Sequence, residues 1–465
     1  MGSALPLKIL FVVPYAPTRV RTRPFHLIRS LAGAGHRVTL AALWTQQEGI
    51  DLMGQLAEHL DGLLTERIAF SRSLWNCARA LPTRQPVQAC YSWSPAFAAK
   101  LTELWKTGGF DVAHVEHLRG ARYGLLLKEL VKHHPTRPAP VVWDSVDCIS
   151  GLFRQASKQS QTFRSRFTSR IELPRTERFE GHLATQFGRI LVTSQVDRSE
   201  LLTLAQEWCT SHNVAMQDRL ANRIAVVPNG VDLDYFTPNH KPRQAFTLVI
   251  SGKMSYHANV TAVVRFVKDI MPLVWAQFPQ ARLWIVGKDP APEVQRLGTK
   301  WVGDQPFDNG RGARETRVQI TGTVEDVRPF LQNASLAVAP ILYGAGIQNK
   351  VLEALACETP VVATPQAVAA LQVRSGEQLL VAHDRLQLAN AVLQLLRDSA
   401  LRSRLGRAGR VFVERHHEWY YISQRLVQIY RDAMTISNAT KHKSIKLSQV
   451  PDPAHRLTLS HLGRV

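Results

Sequence analysis

The apolar positions of this chain fall into two successive blocks of strand-like and helix-like runs. Residues 9–13 are a short continuous apolar run, which reads as a buried strand. Residues 23–33 place Phe25, Ile28, Leu31 and Ala32 at helical spacing. Gly35-His36 turns the chain into a second strand at 38–43. Residues 111–115, 141–143 and 190–193 read as later strands, and a helix is expected from about Asp197 as its N-cap. Repeated strand–helix–strand units imply a parallel sheet with right-handed crossovers. No period of 20–50 residues recurs, which excludes a solenoid.

A strand at 225–228 runs into the turn signal Asn229-Gly230, and residues 228–240 hold two prolines and few helix formers. The domain join is placed there. The alternation then restarts with a strand at 248–251. A helix at 259–278 carries Val263, Phe266, Val267, Ile270 and Val274, and a strand at 281–286 ends at Gly287. Further strands fall near 318–320, 336–339, 360–363 and 379–381, and helices at 386–397, 401–412 and 419–434. The predicted units are 1–230 and 240–416, with 436–465 as a polar, basic, disordered tail. Residues 153–179, rich in Arg, Ser and Gln, read either as a mobile loop or as a surface helix. Sheets of this kind bind ligands at the carboxyl ends of their strands, so two of them present a cleft.

One stretch carries chemistry: Gly344-Ala345-Gly346-Ile347-Gln348-Asn349-Lys350-Val351-Leu352-Glu353. Two glycines open a loop, and a helix follows that must end before Pro360. Free backbone N–H groups and the helix dipole make such a start an anion site. Lys350 and Glu353 lie three apart, on one helix face. A cation near the first turn suits a diphosphate; a carboxylate one turn on suits the vicinal hydroxyls of a ribose. From spacing alone, an ordinary surface Lys–Glu pair is the alternative.

The full string resembles the nucleotide-sugar site of the retaining GT-B glycosyltransferases. It looks most like the sugar transferases associated with PEP-CTERM exopolysaccharide systems, which carry Gly-x-Gly-x-x-x-Lys-x-x-Glu-Ala. The likeness runs from about residue 7 to about 435. It includes Lys8-Ile9-Leu10-Phe11-Val12-Val13-Pro14, Pro228-Asn229-Gly230-Val231-Asp232, Thr321-Gly322-Thr323-Val324, Val338-Ala339-Pro340 and Trp419. It implies an α/β fold of GT-B architecture: two Rossmann-like doubly wound domains facing a cleft, with a last helix at 417–435 crossing back onto the first. The first domain would take the acceptor and the second the nucleotide-sugar. The implied reaction moves a sugar from a nucleoside diphosphate to an acceptor hydroxyl with retention. No dedicated nucleophile is needed if the leaving phosphate oxygen takes the acceptor proton on the same face. No cofactor and no metal is expected.

By the same resemblance Gly344, Gly346, Ile347, Gln348, Asn349 and Glu353 are donor-binding, and Lys350 is a catalytic cation. Lys253, in Ser251-Gly252-Lys253-Met254, stands where relatives carry an Arg or similar cation; a solvated loop lysine is the alternative. Arg21 and Arg23 follow the first strand, where arginine forks could grip phosphate; capping and surface charge are the alternative. Glu116 takes the position of a histidine near the sugar in relatives, with His117 beside it, so both are candidate sugar or acceptor contacts. Asp144 and Asp147 close the next strand as candidate acceptor contacts; an ordinary short acidic turn is the alternative. Asp232-Leu233-Asp234 has the form of a metal motif but sits in the interdomain turn. Two departures stand out. Ala258 precedes Asn259 where many members have a lysine, and Ala345 replaces a first glutamate. The first leaves more phosphate work to Lys350 and Lys253, and the second leaves the donor sugar open.

Composition narrows the setting. The chain has 465 residues, 45% of them hydrophobic, enough for two cores. Its five cysteines are scattered without Cys-x-x-Cys, which argues for reduced thiols in the cytoplasm. The 9–13 run is too short for a signal peptide, and no stretch approaches the roughly 18 apolar residues of a membrane span. With 57 Lys+Arg against 37 Asp+Glu, the net charge of +20 favours anionic partners. The expected partners are a nucleotide-sugar, a lipid-linked or glycan acceptor and an anionic membrane surface on the inner face of the cell membrane. Arg72, Arg79 and Arg84 flank Leu74, Trp75 and Leu81 as a candidate membrane contact; packing of Trp75 into the core is the alternative. Nucleic acid is not expected, because the arginines lack interleaved aromatics. The rival readings are a nucleotide-sugar epimerase of the same fold and a catalytically silent polyanion-binding protein.

Overall fold

The computed structural model describes residues 5–18, 22–45, 51, 54–133, 139–159, 163–214, 220–239, 241–302, 305–306, 317–344 and 346–448. The first sheet has seven parallel strands: β1 Lys8–Val13, β2 Arg37–Trp44, β3 Gly62–Arg67, β4 Val112–Glu116, β5 Val141–Val146, β6 Arg189–Val192 and β7 Ile224–Val226. Their order is β3-β2-β1-β4-β5-β6-β7, so the winding reverses between β1 and β4. Side chains alternate across β1. Leu10 and Val12 enter one core layer, and Ile9, Phe11 and Val13 the other. Burial on both faces is why such strands read as continuous apolar runs.

The second sheet comprises β8 Gln244–Ser251, β9 Arg282–Val286, β10 Thr299–Val302, β11 Gln305–Pro306, β12 Val318–Gly322, β13 Ala334–Ala339, β14 Val361–Ala363 and β15 Leu380–Val381. Its order is β11-β10-β12-β9-β8-β13-β14-β15, with only β10–β11 antiparallel, and it reverses between β8 and β13. Both reversal points face the interdomain cleft, where the two-sheet architecture puts its ligands.

The last helix, Trp419–Ser448, lies on the first domain. Its Trp419, Ile422, Leu426, Val427 and Tyr430 join the layer that holds Phe25 and Ile28 of the helix Thr22–Gly33. It extends past 434 into the segment expected to be a disordered tail. No Gly or Pro interrupts 436–448, so the helix outlasts its apolar stripe. Residues 449–465 lie outside the described residues.

Several elements depart from the sequence pattern. The edge strand β3, Gly-Leu-Leu-Thr-Glu-Arg, is only half-buried and carries no apolar run. The described residues of 153–179 fall in two helices, Ile149–Gln159 and Phe163–Gln186. The second buries polar Thr176 and Glu180 rather than an apolar stripe, which hid it. The helix expected to be capped by Asp197 starts earlier. Ser194 caps it, accepting from the Asp197 N–H at 3.1 Å, and donates its own hydroxyl to the Asp197 carboxylate. The 259–278 helix is interrupted by one wide turn at Phe266–Ile270, just before Pro272. Proline has no N–H and crowds the preceding carbonyl, so the wider turn relieves it.

Candidate functional site

Three strand ends in the second domain close on glycine. Gly252 follows β8, Gly287 follows β9, and Gly322 ends β12. A side chain on Gly287, at φ +146, would stand 1.7 Å from the Gly252 carbonyl oxygen. Gly252, at φ +143, lies under Lys350, whose Nζ would be 3.1 Å from a Cβ there. The sheet thus ends in a tight backbone floor that only glycine permits.

On this floor Asn259 organises the cations. Its Nδ2 donates to the Lys253 carbonyl at 2.8 Å, and its Oδ1 accepts from Lys350 Nζ at 2.5 Å. Lys253 projects, exposed, into the same cleft. The asparagine was visible in the sequence only as the neighbour of a missing lysine. Its role as a clamp between β8 and the Asn349–Ala356 helix needs the fold.

Lys350 and Glu353 both line a cleft of about 870 Å³ between the domains. Burial lowers the Lys350 ammonium to about 8, opposed by Glu353. Burial raises Glu353 to about 7, opposed by Lys350. Two desolvated groups of opposite charge therefore share one helix face, each near neutrality. Ile347, Gln348 and Asn349 line the cleft beside them, and Gln348 at the N-cap position does not cap the helix with its side chain.

The predicted glycines lie elsewhere on the loop. Gly344 and Gly346 border a second interdomain cavity of about 390 Å³ instead. Gly344 N–H donates to Gln155 Oε1 of the first domain at 3.0 Å. Gly346, at φ +66, packs against Asp147, whose Oδ1 would meet a Cβ at 2.0 Å. Asn349 Nδ2 donates to Thr22 Oγ1 at 3.0 Å, and Asn229 Nδ2 to Asn349 Oδ1 at 3.4 Å. The loop is thus a clasp to the first domain as well as the lead-in to the helix.

Arg23 and Asp144 are corrected from ligand contacts to a structural lock. Arg23 Nε donates to Asp144 Oδ2 at 2.9 Å, and its Nη2 stands in ion-pair contact with the same oxygen at 2.8 Å. Its Nη1 donates to the carbonyls of Val227 and Pro228 and to Asn229 Oδ1. Both side chains are buried and turned from the cleft. Burial works against the Asp144 carboxylate, but Arg23 and then His114 outweigh it and hold it at about 2. His114 Nε2 lies 3.4 Å from Asp144, and its Nδ1 is 2.7 Å from the Tyr430 hydroxyl of the last helix. Arg21 lies outside the described residues.

Glu116 and His117 also stand back from the cleft wall. Glu116 is buried and accepts from the Tyr15 hydroxyl at 2.7 Å, and it is Tyr15 that lines the cleft. His117 adopts φ +66 at the strand–helix corner and accepts from Arg119 N–H through Nδ1 at 3.2 Å. A non-glycine residue there carries backbone strain, so the corner is held by its surroundings. Asp232 lines the cleft, but Arg29 and His26 approach it at 3.5 and 3.9 Å, and it accepts from Tyr235 N–H. Among the described residues, no group of three His, Cys, Asp or Glu side chains is placed to hold a metal ion.

Residues 245–398 match the glycosyl transferases group 1 family. The matched segment contains the glycine floor, Lys253, Asn259, Lys350 and Glu353. Over 351 residues the chain is 23% identical to phosphatidyl-myo-inositol mannosyltransferase of Mycobacterium leprae, covering 74% of this chain and 79% of that protein. It is 27% identical over 224 residues to D-inositol 3-phosphate glycosyltransferase of Stackebrandtia nassauensis, covering 46% of this chain and 49% of that one. The fold is that of solved GT-B glycosyltransferases. Anabaena HepE in complex with UDP superposes with TM-score 0.60 at 14% identity, over 92% of this chain and 100% of that one. Sucrose-phosphate synthase of Thermosynechococcus elongatus gives TM-score 0.58 at 18% identity, over 92% and 100%.

Proposed function

We propose that this chain moves a sugar from a nucleoside-diphosphate sugar to an acceptor hydroxyl with retention, in exopolysaccharide or other cell-surface glycan assembly. The observation that carries the reading is the shared face of Lys350 and Glu353 above the Gly252–Gly287 floor, with Lys253 beside it. Glu353 would accept from the ribose hydroxyls. Lys350, Lys253 and the first amides of the Asn349–Ala356 helix would take the diphosphate. A bound diphosphate would restore the ammonium charge that burial weakens, so donor binding offsets the desolvation of Lys350.

As the C1–O bond to the phosphate breaks, negative charge grows on the leaving oxygen, and these cations stabilise it. The acceptor oxygen bonds to C1 on the face the phosphate leaves, and its proton passes to the departing phosphate oxygen. Charge neutralisation is assigned to protein cations rather than to a metal. The mannosyltransferase and glycosyltransferase names of the relatives, and the UDP held by the HepE structure, support a nucleotide-sugar donor.

The test is a panel of UDP, GDP and ADP and their sugars, scored by thermal stabilisation and then by nucleotide release with a glycan or lipid-linked acceptor. Stabilisation by one base, acceptor-dependent release of its diphosphate and a retained anomer by NMR are expected. Release of nucleotide without acceptor, or interconversion of the donor sugar, would overturn the reading in favour of hydrolysis or epimerisation.

A further inference from the structure

The helix Phe70–Ala80 and the turn after it present an exposed apolar and basic face that no described residue covers. Phe70 is 68% exposed, Leu74 52%, Trp75 56% and Leu81 58%. Phe70, Leu74 and Leu81 recur at helical spacing along one flank of the outer face. Arg72 and Arg79, also exposed, follow the other flank, and Trp75 lies between. The inner face is held by buried Ser73 and Ala80. Trp75 therefore does not pack into the core, which was the competing expectation. Residues 70–85 contain Arg72, Arg79 and Arg84 and no acidic residue.

The helix lies next to residues that line the cleft. Ile68, just before the helix, lines it, as do Tyr91 and Ser92. Asn76 Nδ2 donates to the carbonyls of Tyr91 and Trp93 at 3.3 and 2.8 Å, which ties the helix to that rim. From the other side, Arg175 Nη2 of the helix Phe163–Gln186 donates to the Leu81 carbonyl at 2.7 Å. The mount is rigid, while the side chains above it are open to solvent.

We propose that the outer face of Phe70–Leu81 docks onto an anionic phospholipid bilayer, with Phe70, Leu74, Trp75 and Leu81 entering the interface and Arg72, Arg79 and Arg84 meeting the headgroups. Apolar side chains bounded by arginines suit an interfacial helix. A tryptophan there keeps its ring in the apolar boundary and its N–H in the headgroup layer. Among the described residues no helix is long and apolar enough to cross a membrane, so the contact lies on the surface. Docking brings the acceptor side of the cleft to the bilayer. That consequence, a membrane-borne acceptor, rests on the glycosyltransferase reading; the docking itself does not.

The experiment is co-sedimentation of the full chain with phosphatidylcholine vesicles, with and without about a third phosphatidylglycerol, at low and high salt. Nucleotide binding is measured on the same samples. Salt-sensitive binding to the phosphatidylglycerol vesicles is expected, with partitioning lowered at least about tenfold in Arg72→Ala/Arg79→Ala, since each basic residue near such a surface contributes appreciably. Leu74→Ala/Trp75→Ala should weaken binding as well, and Trp75→Phe should remove most quenching by brominated lipid. Nucleotide binding unchanged in these variants shows that they fold. No binding at low salt, or binding by both double variants equal to that of wild type, would overturn the proposal. So would loss in the arginine variant with full retention in Leu74→Ala/Trp75→Ala, which would mark a plain polyanion site. Vesicle binding without any nucleotide binding would leave the docking face standing and remove the glycosyltransferase reading instead.

Discussion

Lys350 Nζ lies 2.5 Å from Asn259 Oδ1, and the same asparagine donates at 2.8 Å to the backbone of Lys253. One neutral side chain thus sets the spacing of both cations above the glycine floor. It occupies the place next to which many related enzymes carry a further lysine.

Asn259→Ala should leave the fold intact and free the Lys350 ammonium. A hydrogen bond to a charged group contributes about 1.5–3 kcal/mol, so kcat/KM for the donor should fall by about tenfold or more. Lys350→Ala should cost more, on the order of a hundredfold or beyond, as expected for one oxyanion-stabilising group. Steady-state kinetics with the identified donor checks both; equal kinetics for Asn259→Ala and wild type would remove the clamp.

Glu353→Ala should weaken donor binding by about tenfold, through the lost ribose contacts. The carboxyl is raised to about 7, so in the free protein it ionises as pH rises through neutrality. Donor affinity should therefore improve as pH rises from 6 through 7, before Lys350, lowered to about 8, loses its proton, and Glu353→Gln should lose that rise. Calorimetric titration across this range reads the difference.

Arg23→Ala and Asp144→Asn should destabilise the first domain rather than alter phosphate binding. Removing one partner of a fully buried pair costs about 3–5 kcal/mol. Asp144 is held at about 2 against an ordinary 3.8, so its contribution is complete above 3.8 and is lost as pH falls through about 2. Thermal unfolding from about pH 1.5 to pH 7 should show the variants converging on wild type only below about pH 2. A specific rise in donor KM without loss of stability would return Arg23 to the phosphate site.

Gly346→Ala should open the domain clasp. A methyl group there meets Asp147 across the interface at 2.0 Å, and φ +66 is strained for alanine. Donor KM should rise several-fold, with an increased radius of gyration in solution scattering. An unchanged radius and KM would show that the clasp is not needed for closure.

Turnover should survive EDTA, because Lys350, Lys253 and the helix amides are assigned the work of a cation. Activity abolished by chelation and restored by Mn²⁺ or Mg²⁺ would move attention to Asp232 and its surroundings.

The sequence by itself determined the parallel α/β plan and the common face of Lys350 and Glu353. Central strands such as 9–13 and 336–339 are buried on both faces, so they appear as unbroken apolar runs. Lys350 and Glu353 are three apart on one helix, so their common face follows from helical geometry alone. The edge strand β3 and the polar helix Phe163–Gln186 were obscure because half-exposed strands and polar-faced helices carry no periodic apolar signal. What only the tertiary structure decided depends on groups far apart in the chain. Arg23 and Asp144, 121 residues apart, neutralise each other once both are buried, and this takes Arg23 from the cleft. Tyr15 stands between Glu116 and the cleft. Asn259 and Lys350, 91 residues apart, become a clamp only when β8 and β13 are laid side by side. Charge type and helical spacing are local properties and can be read from the chain. Which charge is desolvated, and by whom it is satisfied, is a property of the packed molecule.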